Sequence, residues 1–195
     1  MKKFLLGFLP VLLLLAACTK EKSLESGGVT PQPGGPGNPG NPGGPGNSTY
    51  FLNAKVNGTA KTFNEDLGFI KEDTLGLTMF TLTGYASAVT TDFETVVISI
   101  ATMSGTLQPG TYSISNILSG MVIGVYVNAD ATKQYLAFTG DTSSDPFTVT
   151  ITSVTTTEIA GTFKGKLFEL DMNTGMPNPN SSVTLTEGSF KAKIL

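Results

Sequence analysis

The sequence predicts an all-β fold, an antiparallel β-sandwich or flattened β-barrel of roughly nine or ten strands. Three observations predict it. Apolar residues recur with period two in short segments, turn signals such as Asn57-Gly58 and Pro109-Gly110 separate those segments, and threonine fills many alternate positions. Branching at Cβ suits threonine to a pleated surface, so it marks the outward side of a strand. Amphipathic helical stripes are scarce.

Taken in order, "YFLNAKV" (50–56) is a strand that runs into Asn57-Gly58, and "TAKTF" (59–63) returns from it. Both turn positions of such a hairpin need positive φ, which Asn and Gly tolerate. Asn64–Asp73 is expected to hold a short helix or a loop. "LTMFTLTGY" (77–85) alternates Phe80 and Leu82 against threonines, and "ETVVISIA" (94–101) sets Val96, Ile98 and Ile100 on one face. After Pro109-Gly110, "YSIS" (112–115) starts a further strand. "MVIGVYV" (121–127) and "QYLAFTG" (134–140) flank a turn around Asp130. "FTVTITSV" (147–154) puts Phe147, Val149 and Ile151 on one side. "EIAGTFKGKLFEL" (158–170) and "GSFKAKIL" (188–195) repeat the pattern, the last with Phe190, Ala192 and Ile194 inward. Gly161 and Gly165 suit bends or close backbone approach, and Gly188 a turn or bulge into the final strand.

Three regions precede or make up this plan: a leader at 1–17, a tether at 18–48 and the β domain at 49–195. Lys2 and Lys3 are followed by an apolar run, Phe4 to Leu15, too short to span a bilayer comfortably. Leu15, Ala16 and Ala17 then lead to Cys18, the one cysteine of the chain, so no intramolecular disulfide or Cys-x-x-Cys motif can form. Leu15-Ala16-Ala17-Cys18 resembles the lipobox of bacterial lipoproteins. The resemblance implies cleavage before Cys18 and diacylglycerol on its thiol. Two or more acyl chains anchor a protein stably, at about 0.8 kcal/mol per buried methylene. "CTKEKSLE" (18–25) resembles the polar, acidic-rich signal that follows the cysteine in surface-exposed lipoproteins of Bacteroidota. That implies an outer-membrane, cell-surface location, with a periplasm-facing one as the alternative. Ser26 to Ser48, rich in Gly, Pro and Asn and free of charge, cannot bury enough surface to order itself. As a flexible coil it spans about 25–30 Å.

Composition excludes several functions. Without its leader the chain has ten lysines, no arginine and 15 acids, a formal net charge of −5 that argues against a nucleic-acid partner. With no histidine, neither a Ser-His-Asp triad nor a histidine-ligated zinc site can exist. No P-loop or dinucleotide-binding glycine pattern is present, and no cofactor is expected. Carboxylate chemistry survives the inventory: Glu65, Asp66, Glu72 and Asp73 cluster in one region, while Glu94, Glu158, Glu169 and Glu187 lie on or beside strands. Nothing in the sequence pairs any two of them, so solvated loop and edge charges are the better reading. "DMNTGMPNPN" (171–180) has a faint calcium-loop rhythm, but it lacks a closing acid and Pro177 interrupts it. A long hairpin loop is the better reading there, and a turn is the better reading of "GDTSSD" (140–145). Tyr50, Tyr85, Tyr112, Tyr126 and Tyr135 are expected in the core or in strand pairs.

"AKVNGTAKTF", "LQPGTYSI", "VTITSVTTTEIAGTFKGKLF" and "VTLTEGSFKAKI" together resemble a family of small Bacteroidota lipoproteins of unknown function. The resemblance spans most of residues 50–195 and implies the all-β fold and the membrane address. Lys61 departs from it, standing where that family usually carries an aromatic, often Trp. Asp73-Thr74-Leu75 resembles the Asp-Thr/Ser-aliphatic acceptor for O-glycans on exported Bacteroidota proteins, which implies glycosylation of Thr74. The expected function is therefore that of a membrane-anchored extracytoplasmic lipoprotein with a non-catalytic binding or interaction domain. Its partners are the membrane, through the lipid, and a protein or glycan at the cell surface. The alternatives are a carboxylate-dependent hydrolase of cell-surface polymer and a carrier of an apolar ligand in a closed barrel.

Overall fold

The structure is a computed structural model that describes residues 49–74, 76–88, 92–114, 120–137 and 146–195. Among the described residues there are eleven strands: β1 (Phe51–Val56), β2 (Thr59–Thr62), β3 (Glu65–Thr74), β4 (Leu77–Tyr85), β5 (Thr95–Thr102), β6 (Gly110–Ser113), β7 (Met121–Val127), β8 (Gln134–Leu136), β9 (Thr148–Val154), β10 (Glu158–Asp171) and β11 (Met176–Lys193). All belong to one antiparallel sheet, ordered β2-β1-β11-β10-β8-β7-β5-β4-β3, with β9 paired to β10 and β6 to β9. The sheet curls on itself. Phe69 of β3 forms a parallel bridge with Ile194, and the Leu195 N–H donates to the Phe69 carbonyl at 3.0 Å. Of the two expected architectures, this is the barrel-like one.

The period-two signal has the predicted cause. In β4, Thr78, Phe80, Leu82 and Gly84 are buried while Leu77, Met79, Thr81 and Thr83 are half-buried, and in β9 Val149 and Ile151 point inward between threonines. Phe63, Phe147, Leu52, Ile159, Leu167 and Leu185 are among the side chains that fill the interior. Each such burial contributes about 1.5–3 kcal/mol. The ring of Phe147 packs so closely on β7 that a Cβ at Gly124 would lie 2.5 Å from it. Asn57 and Gly58 take φ of 48° and 82°, as the hairpin requires. Asn57 also binds β11 in both directions: its N–H donates to the Thr184 carbonyl and its Oδ1 accepts from the Thr184 N–H, each at 2.9 Å.

Two expectations are corrected. Asn64–Asp73 is neither helix nor loop: Glu65–Thr74 is β3, an edge strand. Its alternation is broken by a register shift between Glu65 and Gly68, where Asp66 takes a φ of 46°. Bulges and charged side chains such as Lys71 and Glu72 blunt an edge against pairing with another chain. Residues 171–180 do not form a long loop either. Asp171 pairs with Met176 across a tight turn, and β11 runs from there to Lys193. Pro177 pairs with Leu170 where β11 has only β10 beside it, and Pro179 falls in the register shift between Asn178 and Ser182; strand edges and bulges are where a sheet tolerates proline. β6 starts two residues earlier than expected, and β8 covers Gln134–Leu136, while 138–140 of its predicted segment lie outside the described residues.

Candidate functional site

Leu15, Ala16, Ala17 and Cys18 lie outside the described residues, as do Asp141 and Asp145. β3 ends at Thr74, which pairs with Leu77 across a turn in which Gly76 holds φ at 80°. Of Thr74 only the backbone is described. Next to it, the Asp73 carboxylate accepts from the Thr78 hydroxyl at 2.6 Å and lies 3.9 Å from Lys71 Nζ. An open depression of about 390 Å³ separates this turn from Met103, Ser104 and Gly105.

Glu94, Glu158, Glu169 and Glu187 are each joined to a lysine. Glu94 is the buried case, its side chain 5 % exposed. Its Oε2 accepts from Lys61 Nζ at 2.7 Å and its Oε1 from the Tyr126 hydroxyl at 2.5 Å. Burial raises the pKa of Tyr126, and the hydrogen bond to Glu94 adds to the rise. Glu158 accepts from Tyr50 at 3.1 Å and pairs with Lys191 at 3.0 Å. The Lys191 bond holds its carboxyl below the usual range. Glu169 accepts from Ser181 and, at 3.1 Å, from Lys133, and both bonds lower its pKa, Ser181 the more. Glu187 pairs with Lys55 at 2.6 Å. Carboxyls lowered as those of Glu158 and Glu169 are make poor proton donors, since a general acid needs its pKa raised.

These shifts have a sign that can be checked. Glu158 and Glu169 have folded-state pKa values below their ordinary value of 4.5. Their contribution to stability is complete above that ordinary value and is lost as pH falls through the lower folded value. Asp130 and Asp171, held low by hydrogen bonds from Thr132 and Asn173, add to the same loss. The thermal midpoint should hold down to about pH 5 and fall below it. A Glu158→Gln/Glu169→Gln variant should show a shallower acid-side fall, and an identical profile would refute the assignment.

Strands β1 and β2 frame an open depression of about 590 Å³, lined by Asn53, Lys55, Lys61, Thr62, Glu187 and three alanines. Lys61 sits on the same face as buried Ala54, its cross-strand partner, and so reaches under β2 to Glu94. Asn53 Oδ1 is buried without a hydrogen-bond partner among the described residues. Neither feature is visible in a local sequence pattern. The charged Lys61 within a short strand segment is the one signal of either in the sequence. Of the tyrosines, Tyr112, Tyr126 and Tyr135 are in the core as expected, Tyr50 is tied to Glu158, and Tyr85 is 37 % exposed.

No family model, curated protein or solved structure matches the chain.

Proposed function

We propose that the chain is a lipoprotein, acylated at Cys18 after cleavage behind Ala17, that carries a non-catalytic β binding domain on the outer face of an outer membrane. The proposal includes kinship with the Bacteroidota lipoprotein family that its strand and turn motifs resemble. One observation carries the non-catalytic part: Glu94, Glu158, Glu169 and Glu187 are each joined to a lysine. That arrangement suits a scaffold, whereas a hydrolase of the two-carboxylate kind needs one protonated and one ionised acid facing a common bond. An apolar carrier needs an empty interior, and here aromatic and aliphatic side chains occupy it. The sequence around Cys18 supports the address.

Intact-mass analysis of the native protein tests the anchor. The expected mass is that of a chain starting at residue 18 with acyl additions. An unacylated chain that retains its leader would overturn the proposal. Protease treatment of whole cells reads the membrane face. The same spectra test Thr74 as an O-glycan acceptor, a role favoured by its position at a hairpin turn. A discrete saccharide increment should disappear in Thr74→Ala, and an unmodified native mass would end that part.

A further inference from the structure

The chain holds one Asn-Gly pair, Asn57-Gly58, and it forms the exposed turn between β1 and β2. Lys55, Val56 and Asn57 meet Thr186, Leu185 and Thr184 of β11 in succession. In a hydrogen-bonded pair of a regular antiparallel ladder, each residue donates to the other's main-chain carbonyl. Here the Asn57 N–H does donate to the Thr184 carbonyl at 2.9 Å, but the Thr184 N–H donates to Asn57 Oδ1, also at 2.9 Å. At a φ of 48° the main chain is already turning into Gly58, and the side-chain carbonyl stands in for the main-chain one.

An asparagine followed by glycine can react with its own chain, because no Cβ beside the glycine nitrogen hinders attack. Gly58 is open on that side: nothing lies within 4 Å of where a Cβ would stand. While Oδ1 holds the Thr184 N–H, the carboxamide is kept from swinging onto the Gly58 nitrogen. The tight turn also fixes the main chain on either side of the reacting atoms. Freeing them takes an opening of the hairpin. β2 is a four-residue edge strand paired only to β1, and the Lys61–Glu94 bond joins it to the start of β5.

We propose that Asn57-Gly58 is a site of spontaneous deamidation, gated by opening of the β1–β2 hairpin. In the open state the Gly58 nitrogen attacks Asn57 Cγ. Nδ2 leaves as ammonia, taking the proton that the attacking nitrogen sheds, and a cyclic imide remains. Water then breaks the imide at one of its carbonyls. Cleavage at Cγ gives aspartate at position 57, whose carboxylate still accepts from the Thr184 N–H in a bond strengthened by charge. Cleavage at the main-chain carbonyl routes the chain through Cβ and Cγ as isoaspartate. That adds a methylene to a tight turn, so the hairpin cannot close as before. The domain therefore accepts one product and is loosened at β2 by the other. Neither the lipid anchor nor a ligand enters this inference.

The test is peptide mapping of the purified full-length protein, aged in mildly alkaline buffer, with a free peptide of residues 54–62 giving the ungated rate. Deamidation at Asn57 should be at least about tenfold slower in the protein than in the peptide. In Lys61→Met, aged below its thermal midpoint, it should be about tenfold faster than in the wild type, in step with amide exchange in Thr59–Thr62. A protein that reacts as fast as the peptide overturns the gate. So do rates that fail to follow exchange across wild type, Lys61→Met and Glu94→Gln. Asn57→Asp should keep the wild-type midpoint and Asn57→Ala should lower it. A loss as large with aspartate as with alanine overturns the acceptance of that product.

Discussion

Replacing Gly165 with alanine is expected to destabilise the domain by about 4 kcal/mol, the combined effect of backbone strain and overpacking. Gly165 holds φ at 138°, a conformation that costs other residues about 1–3 kcal/mol. A Cβ there would lie 2.3 Å from Phe147 Cα and 2.7 Å from Phe147 N, and backbone atoms cannot rotate away as a flexible side chain can. Overpacking of this kind costs a further 1–3 kcal/mol or so. The position matters because β10 changes partners there. It pairs with β9 up to Lys164 and with β8 from Phe168, and its register against β11 shifts between Phe163 and Gly165. Gly175→Ala is the control. Its φ of 67° is also left-handed, but nothing lies within 4 Å of the added carbon, so only about 1–2 kcal/mol is expected. Urea unfolding with an unchanged slope reads both values. Equal losses at the two positions would show that the approach of Phe147 does not set the cost.

The contrast between β4 and β3 explains what the sequence could reveal. β4 was predicted to its ends because every second residue faces the core, and that regularity is written locally. β3 was missed because its bulge at Asp66 breaks the period, and because Ile70, at 47 % exposure, points away from the core that Phe69 enters. The first part of β11 was hidden differently: Pro177 reads as a loop residue, yet a strand with one open edge accommodates it, and Pro179 falls in a register shift. Partner choice lies further from view. That β6 joins β9 depends on how the curled sheet brings distant segments together, and no local pattern encodes it. The candidate site suffers most, since Lys61 and Glu94 are separated by 33 positions.

Lys61→Met is expected to cost about 3 kcal/mol at neutral pH, the lower end of the range for breaking a buried ion pair. The loss follows from what remains. Glu94 is 5 % exposed, so its carboxylate would stay out of water with Tyr126 as its remaining side-chain partner. Lys61, by contrast, is 33 % exposed, which places the pair at the weaker end and makes its two halves unequal. In Glu94→Gln the ammonium can turn to solvent while the amide still accepts from Tyr126, so a loss nearer 1 kcal/mol is expected. The double variant strands no charge and should be more stable than Lys61→Met alone, a coupling that a double-mutant cycle measures directly. The effect should also be local. β2 is a four-residue edge strand paired only to β1, and the Lys61–Glu94 bond joins it to the start of β5. Amide exchange in Thr59–Thr62 should therefore accelerate more than in β4 or β10. If Lys61→Met were no worse than Glu94→Gln, the carboxylate would have to find water or another donor, and the ion pair would not be what holds β2 against the sheet.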